Sequence, residues 1–208
     1  MNNINIVNNV PGLKVTVNEI VGGGYTVSIS KEGQKALADF LCGSVVKIGE
    51  REYIVLEHMG EGEEKRSAVI TKDFVKTMEF GKTGEYPGSN VDEYLRKEFY
   101  LELIRTVGKD NVKEFTIDLM ADDGTGEGKN HTYHASLLTT DLYRKYRKFL
   151  PAYGKWWWLA TRVSYGVKDY DRYVCDVHSS GVLSWDVCDC SGGVRPFCIL
   201  NSSILVSE

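Results

Sequence analysis

Cys188 and Cys190 stand one residue apart in VCDCS, with Cys175, His178 and Cys198 close by in the chain. Thiolates and imidazoles are the ligands of tetrahedral zinc, so the group raises the question of a metal site. Such sites are normally completed by a second C-x-x-C or H-x-x-x-H pair, and the chain has neither. Alternation instead puts Cys188 and Cys190 on one strand face, a setting common for thiols that act as small buried hydrophobes. His131 and His134 lie three apart in NHTYH, downstream of Asp122 and Asp123. Acid–base or metal chemistry would need three or four of these groups to converge, and a loop surface is the plainer reading. DDGTGEG has the composition of a calcium loop without the D-x-D-x-D-G-x5-E spacing that brings ligands into register. No phosphate loop, nucleophile elbow or H-E-x-x-H occurs. No catalytic residue, metal or cofactor is therefore assigned.

These residues must be held by a chain of 208 residues, 42% hydrophobic and 26% charged, long enough for one substantial core with a small appendage. A net charge of −4 with scattered Lys and Arg argues against nucleic acid as a partner. No apolar run approaches the ~18 residues of a membrane span. The opening MNNINIVNN lacks the basic and apolar regions of a signal peptide. Five cysteines, an odd number with Cys42 alone, suit reduced thiols in a cytoplasmic setting.

LKVTVNEIVGGGYTVSIS reads as a hairpin around Gly22-Gly23-Gly24. KEGQKALADFL, with Ala36, Leu37 and Phe40 on one side, predicts a short helix. A second hairpin turns at Gly49-Glu50, and SAVITKDFV adds a strand. SNVDEYLRKEFYLELIRTVG predicts a helix capped by Asn90 with Glu93 three residues on and stopped by Gly108. Its buried face is expected to be Val91, Tyr94, Leu95, Phe99, Leu101 and Ile104. EFTIDL is a short strand, and TTDLYRKYRKFLP a second helix capped by Thr140 and ended before Pro151. Beyond Pro151 come strands WWWLAT, RYVCDV, VLSWDVC and VRPFCIL, with a turn at HSSG. The expected class is α+β, split into an extension over residues 1–38 and a domain over residues 39–208. From Thr161 to Ser207 there is no Glu, Gln or Met, and Lys168 is the single lysine. Strand and turn propensity alone can account for that depletion.

In order, GSVVKIGEREYIVLEH, SNVDEYLRKEFY, LLTTDLYRKY, WWWLATR, YVCDVHSSGVLSWDV and GGVRPFCIL resemble a family of uncharacterised bacterial and phage domains over about residues 40–200. Its members read W-W-L-R-S-P, then a hairpin with a D-G or S-G turn, then G-V-R-P-A. This chain departs from them at ATR and at VRPF. The resemblance implies a C-type-lectin-like fold, with mixed or antiparallel sheet, two main helices and a loop-rich C-terminal half. It also implies kinship with the variable proteins of diversity-generating retroelements and, more distantly, with formylglycine-generating enzymes. Retroelement mutagenesis of Asn-type codons cannot yield Glu, Gln, Met, Lys or Trp, which fits the depleted tail if Lys168 and Trp185 are fixed positions.

On that reading Trp156, Trp157 and Trp158 are scaffold, the first and third on one face of a strand and the second on the other. Arg195, beside Pro196, is a structural anchor to loop carbonyls or to a buried acid such as Asp118 or Asp141. The triplet and the Arg-Pro segment are expected as neighbours in one mixed sheet. Arg162, Tyr165, Lys168, Asp169, Tyr170, Asp171, Arg172 and Tyr173 alternate aromatic and charged groups, as recognition loops do. His178, Trp185 and Asp186 join them from the adjoining hairpin. The expected function is a non-enzymatic binding module of phage or mobile-element type, in the host cytoplasm or a phage particle, with a host or surface protein as ligand. No nucleic-acid or membrane partner is expected, and self-association is left open. The alternatives are a formylglycine-generating-type oxidoreductase and a structural component of a virion.

Overall fold

The computed structural model describes residues 12–20, 23–31 and 33–208; MNNINIVNN, Gly22 of the expected turn and Glu32 lie outside the described residues. The chain opens with β1 (Leu13–Glu19), β2 (Tyr25–Lys31) and β3 (Lys35–Ala36), then β4 (Val45–Ile48), β5 (Arg51–Met59), β6 (Arg66–Thr71) and β7 (Lys76–Glu79). Helix α1 covers residues 90–107 and leads to β8 (Val112–Lys113), β9 (Phe115–Asp118) and β10 (Asn130–Tyr133). Helix α2 (Thr140–Tyr146) precedes β11 (Trp157–Arg162), β12 (Tyr173–Val177), β13 (Leu183–Val187), β14 (Ser191–Val194), β15 (Phe197–Asn201) and β16 (Leu205–Val206). The architecture is α+β. Among the described residues no helix is long and apolar enough to cross a membrane.

Two five-stranded sheets make the body, one ordered β4-β5-β6-β15-β8 and one β13-β12-β11-β14-β7. The second is mixed, because β11 and β14 run parallel through Trp157 and Gly193, which makes the triplet a neighbour of GGV, while the Arg-Pro segment expected beside it lies past the end of that sheet. Both sheets are covered on two faces. One core takes Val46, Val55 and Val69 from the first sheet, Trp158, Ala160 and Val174 from the second, and α1. The other takes Ile54, Leu56, Ile70, Trp157, Leu159 and Cys175 under Tyr143 and Tyr146 of α2. Strand alternation divides residues between the cores, so in β15 Cys198 and Leu200 serve one while Phe197 and Ile199 serve the other.

The helix expected in KEGQKALADFL is replaced, over its described residues, by β3 and a single 3-10 turn, Leu37–Asp39. Its amphipathic signal is weak and Gly33 adopts φ +87°. Pairing with the end of the chain overrides it: β3 pairs with β16, and the Leu37 N–H donates to the Ile204 carbonyl at 2.9 Å. Leu37 is fully buried in the core, so residues 35–38 pack with the body, while among the described strands β1 and β2 pair with each other.

Both helix caps fall one residue before their expected places. The Ser89 hydroxyl accepts the Asp92 N–H at 3.1 Å, and the Thr139 hydroxyl accepts the Leu142 N–H at 3.2 Å. The Thr140 N–H instead donates to Thr161 Oγ1 of β11 at 3.0 Å, tying α2 to the sheet. In α1, Val91, Leu95, Phe99 and Leu103 are buried at a strict spacing of four, while Leu101 is exposed, contrary to expectation. Spacing of four drifts around an ideal α-helix, and the π segment Leu95–Phe99, with i→i+5 bonding, absorbs the drift and keeps the stripe on the core.

The tryptophans divide as expected. Trp158 meets Trp156 edge-on at 4.8 Å and Phe80 at 5.5 Å, and its Nε1–H donates to the Met78 carbonyl at 3.1 Å. Trp157 points the other way, to Tyr143 at 5.7 Å. VRPFCIL, however, is not one strand. β14 ends at Val194 in the second sheet and β15 starts at Phe197 in the first, so Arg195-Pro196 is the crossing between sheets. Thr71 brackets it, its carbonyl accepting Arg195 Nε–H at 3.1 Å and its N–H donating to the Pro196 carbonyl at 3.0 Å. Arg195 is 2% exposed, with its guanidinium 4.9 Å from the Trp157 ring and 5.5 Å from Tyr153. Among the described residues no carboxylate bonds it. Asp118 is exposed and accepts the Met120 N–H, and Asp141 pairs with Arg144, so neither acid has the expected role.

The two glycines before the crossing make room for rings. A Cβ on Gly192 would lie 2.4 Å from Trp156, and one on Gly193 2.2 Å from Phe74. Gly192→Ala and Gly193→Ala are each expected to cost about 1–3 kcal/mol through overpacking, whereas the exposed neighbour Ser191→Ala should stay within about 0.5 kcal/mol. Urea unfolding of the three variants measures this; equal midpoints would show that the rings can move aside.

Candidate recognition face

The segment between β11 and β12 is fixed from below before it offers anything to solvent. Arg162 is 7% exposed: one terminal nitrogen donates to Glu85 Oε1 at 2.9 Å, the other to the Asp171 carbonyl at 3.3 Å. Arg162 is thus an interior strut rather than part of the face. The Tyr165 ring lies 4.2 Å from the Arg162 guanidinium and 3.8 Å from Lys129 Nζ. Its hydroxyl donates toward Glu85 Oε2 at 3.2 Å and the Leu119 carbonyl at 3.3 Å, and burial raises its pKa. Tyr165 is therefore largely committed to the anchor. Gly126 permits this approach, since a Cβ there would lie 2.4 Å from the Tyr165 ring.

DDGTGEG belongs to the same anchor. The Asp122 N–H donates to the Arg162 carbonyl at 3.0 Å and the Tyr165 N–H to Thr125 Oγ1 at 2.7 Å. Asp123 Oδ1 accepts the Thr125 N–H and hydroxyl at 3.0 and 2.6 Å, and Asp122 pairs with Arg144 at 3.0 Å. These carboxylates hold a loop in shape. Hydrogen bonds from Ser164 and Thr125 keep the Asp123 carboxyl below the usual aspartate range. His131 is exposed on β10 and His134 packs against Tyr100 at a tilt, 4.7 Å between ring centroids. Among the described residues no group of three or more His, Cys, Asp or Glu could hold a metal ion.

Above the anchor, Lys168, Asp169, Tyr170, Asp171 and Arg172 are exposed, and Arg172 pairs with Asp189. Tyr170, 42% exposed, packs on half-buried Tyr173 at 5.6 Å. Tyr173 in turn meets Trp185, 54% exposed, edge-on at 4.9 Å. Three rings thus form a supported row from the loop across the start of β12 to β13, the edge strand of its sheet. His178 does not join them. It closes the opposite end of the hairpin, about 17 Å from Tyr173 by strand rise, with Nδ1 2.9 Å from Ser180 Oγ.

Asp186 faces away from Trp185. Its Oδ1 accepts from the Val187 N–H at 2.8 Å and from Cys190 Sγ at 3.2 Å. Cys188 and Cys190 lie in the turn after β13, not on a strand as expected, because β13 ends at Val187. Burial pushes Cys175 and Cys198 up to about 12, and the Asp186 carboxylate raises Cys190. Glu85, Thr125, Gly126 and Lys129 are the site residues that no local spacing signals, since they act on residues some forty to eighty positions away.

Asp176, on the same face as Asp186 and opposite Trp158 in β11, is 4% exposed. Desolvation first, then Asp186, raises its carboxyl to about 7. An unfolded aspartate loses its proton near pH 4, whereas the folded one keeps it to about pH 7. Between those values the unfolded state binds fewer protons, so stability falls as pH rises from about 4 to 7 and then levels off. Asp176→Asn should remove that decline and stabilise the protein at pH 8 by on the order of 2 kcal/mol. Urea unfolding at pH 5 and pH 8 reads the difference, and a variant with the parental pH profile would refute the burial argument.

No protein-family description, curated protein or solved structure matches the chain.

Proposed function

We propose that this protein is a non-enzymatic protein-binding module whose contact residues are Tyr170, Tyr173 and Trp185, with Lys168, Asp169, Asp171 and Arg172 as a charged rim. The supporting observation is the Tyr170–Tyr173–Trp185 row, in which an indole more than half exposed is held edge-on by a second ring at a sheet edge. Large aromatic groups with few rotamers to freeze are the usual anchors of protein interfaces. The backbone at this edge adds to the case. The His178 N–H donates to Val182 O and the Cys188 N–H to Arg172 O. Alternation from those two bonds turns the N–H and C=O groups of Leu183 and Trp185 outward, where an extended partner segment can pair.

The reading extends to a C-type-lectin-like fold and to a phage or mobile-element factor that binds, and in its narrower form blocks, a host protein. That extension rests on the motif resemblance. The raised thiols of Cys175, Cys198 and Cys190 favour binding over cysteine-based oxidation, because the thiolate is the reactive form.

Capture of a partner from bacterial lysate by the full chain should weaken about thirtyfold in Trp185→Ala and about tenfold in Tyr170→Ala, and stay unchanged in His178→Ala at the far end of the hairpin. Equal capture by all three would move the site elsewhere. Thiol titration supplies a separate check. Exposed Cys42 should react quickly with an aromatic disulfide, and Cys175 and Cys198 only after denaturation; rapid reaction of either would restore the enzymatic reading.

A further inference from the structure

Away from the aromatic row, α1 and the strand leading out of the β9–β10 hairpin flank an open cavity of about 220 Å³, lined by Arg96, Tyr100, Thr132, Tyr133, His134 and Ala135. Arg96 sits inside the π segment of α1 and Tyr100 directly follows it. Interruptions of this kind recur at functional positions, where they turn side chains that a regular helix would place elsewhere. Arg96 Nε–H donates to buried Asp92 Oδ1 at 2.8 Å, which fixes the plane of the guanidinium. Its terminal nitrogens make no hydrogen bond among the described residues, leaving a charged fork available. Tyr100 and His134 form a tilted ring pair, 4.7 Å between centroids, beside that fork.

Tyr133 lines the cavity from β10. It is 5% exposed, and its hydroxyl is buried with no hydrogen-bond partner among the described residues. The neighbouring Tyr86, 5.4 Å away ring to ring, accepts the Leu137 N–H on its own hydroxyl. The Tyr133 hydroxyl is closed to solvent, so Tyr133 contributes wall to the cavity and not a donor.

We propose that this cavity binds a small single-ring aromatic carboxylate, its ring against Tyr100 and His134 and its carboxylate on the terminal N–H groups of Arg96. A planar fork matches a carboxylate with two parallel hydrogen bonds. The ring pair selects a flat ligand. The volume lies below the ~300 Å³ at which pockets for drug-sized ligands begin, which leaves space for one ring and one acid group. Glu114, 3.8 Å from His134 Nε2, opposes ligands of higher negative charge.

The test is NMR titration of the full chain with benzoate, with cyclohexanecarboxylate as the acid lacking an aromatic ring and benzamide as the ring lacking a charge. Saturable shifts at the Thr132 amide and the His134 ring are expected at millimolar benzoate, with each control about tenfold weaker. Arg96→Gln should weaken benzoate about tenfold. Tyr133→Phe should leave the affinity unchanged without lowering the thermal midpoint, because the hydroxyl is closed to the cavity and makes no hydrogen bond among the described residues. Trp185→Ala should leave it unchanged. Absence of a saturable His134 shift, benzamide binding as tightly as benzoate, or full binding by Arg96→Gln would each overturn the proposal.

Discussion

A guanidinium buried where the chain passes from one sheet to the other governs this structure. Removing a cation from water costs several kcal/mol even after relaxation, and burial lowers Arg195 to about 10, still protonated at neutral pH. The charge is balanced by two ring faces, by the Thr71 carbonyl and by the field of Asp73, whose carboxylate takes the Tyr153 hydroxyl at 2.8 Å. Because Thr71 ends β6 and Trp157 begins β11, satisfying the arginine fixes both sheets at one point. The glycines before it and the proline after it follow from that constraint: rings press on Gly192 and Gly193, and Pro196 occupies the step from β14 in one sheet to β15 in the other.

The C-terminal half was legible because its signals are local. Alternation in RYVCDV and VLSWDVC defines a hairpin whose register runs from Tyr173↔Val187 to Val177↔Leu183, and the triplet divides its indoles by strand parity. What sequence reading missed was decided at a distance. Nothing in KEGQKALADFL announces a partner strand at Leu205–Val206, and nothing in VRPFCIL tells one strand from two halves in different sheets. Each cap shift is a choice between adjacent hydroxyl or amide residues, settled for α2 by Thr161 reaching across from β11.

The recognition face shows the same division. Its exposed members, Tyr170, Arg172 and Trp185, follow from an aromatic and charged alternation that is visible in the sequence. Arg162 and Tyr165 share that alternation yet lie beneath it, because Glu85 and Lys129 approach from other parts of the fold. The acid-rich loop has the look of ligand chemistry and a mechanical role instead: its carboxylates are spent on Thr125 and Arg144, and its backbone runs along Arg162 and Val163.

The four tryptophans make the physical logic of the proposed function concrete. Three are drawn into the protein by partners on both sheet faces, and the fourth, equally apolar, is left at the edge against one ring only. Leaving an indole half in water forfeits part of the burial energy that an aromatic normally contributes to folding. That forfeited energy is available on association. The gain is largest when the ring is already immobile, since little rotamer entropy remains to be lost. Tyr173 provides that immobility, and the Arg162–Glu85–Tyr165 anchor provides it for the loop that carries Tyr170. Rigidity below and exposed aromatic area above are thus two parts of one device, and both depend on the sheet that Arg195 holds in place.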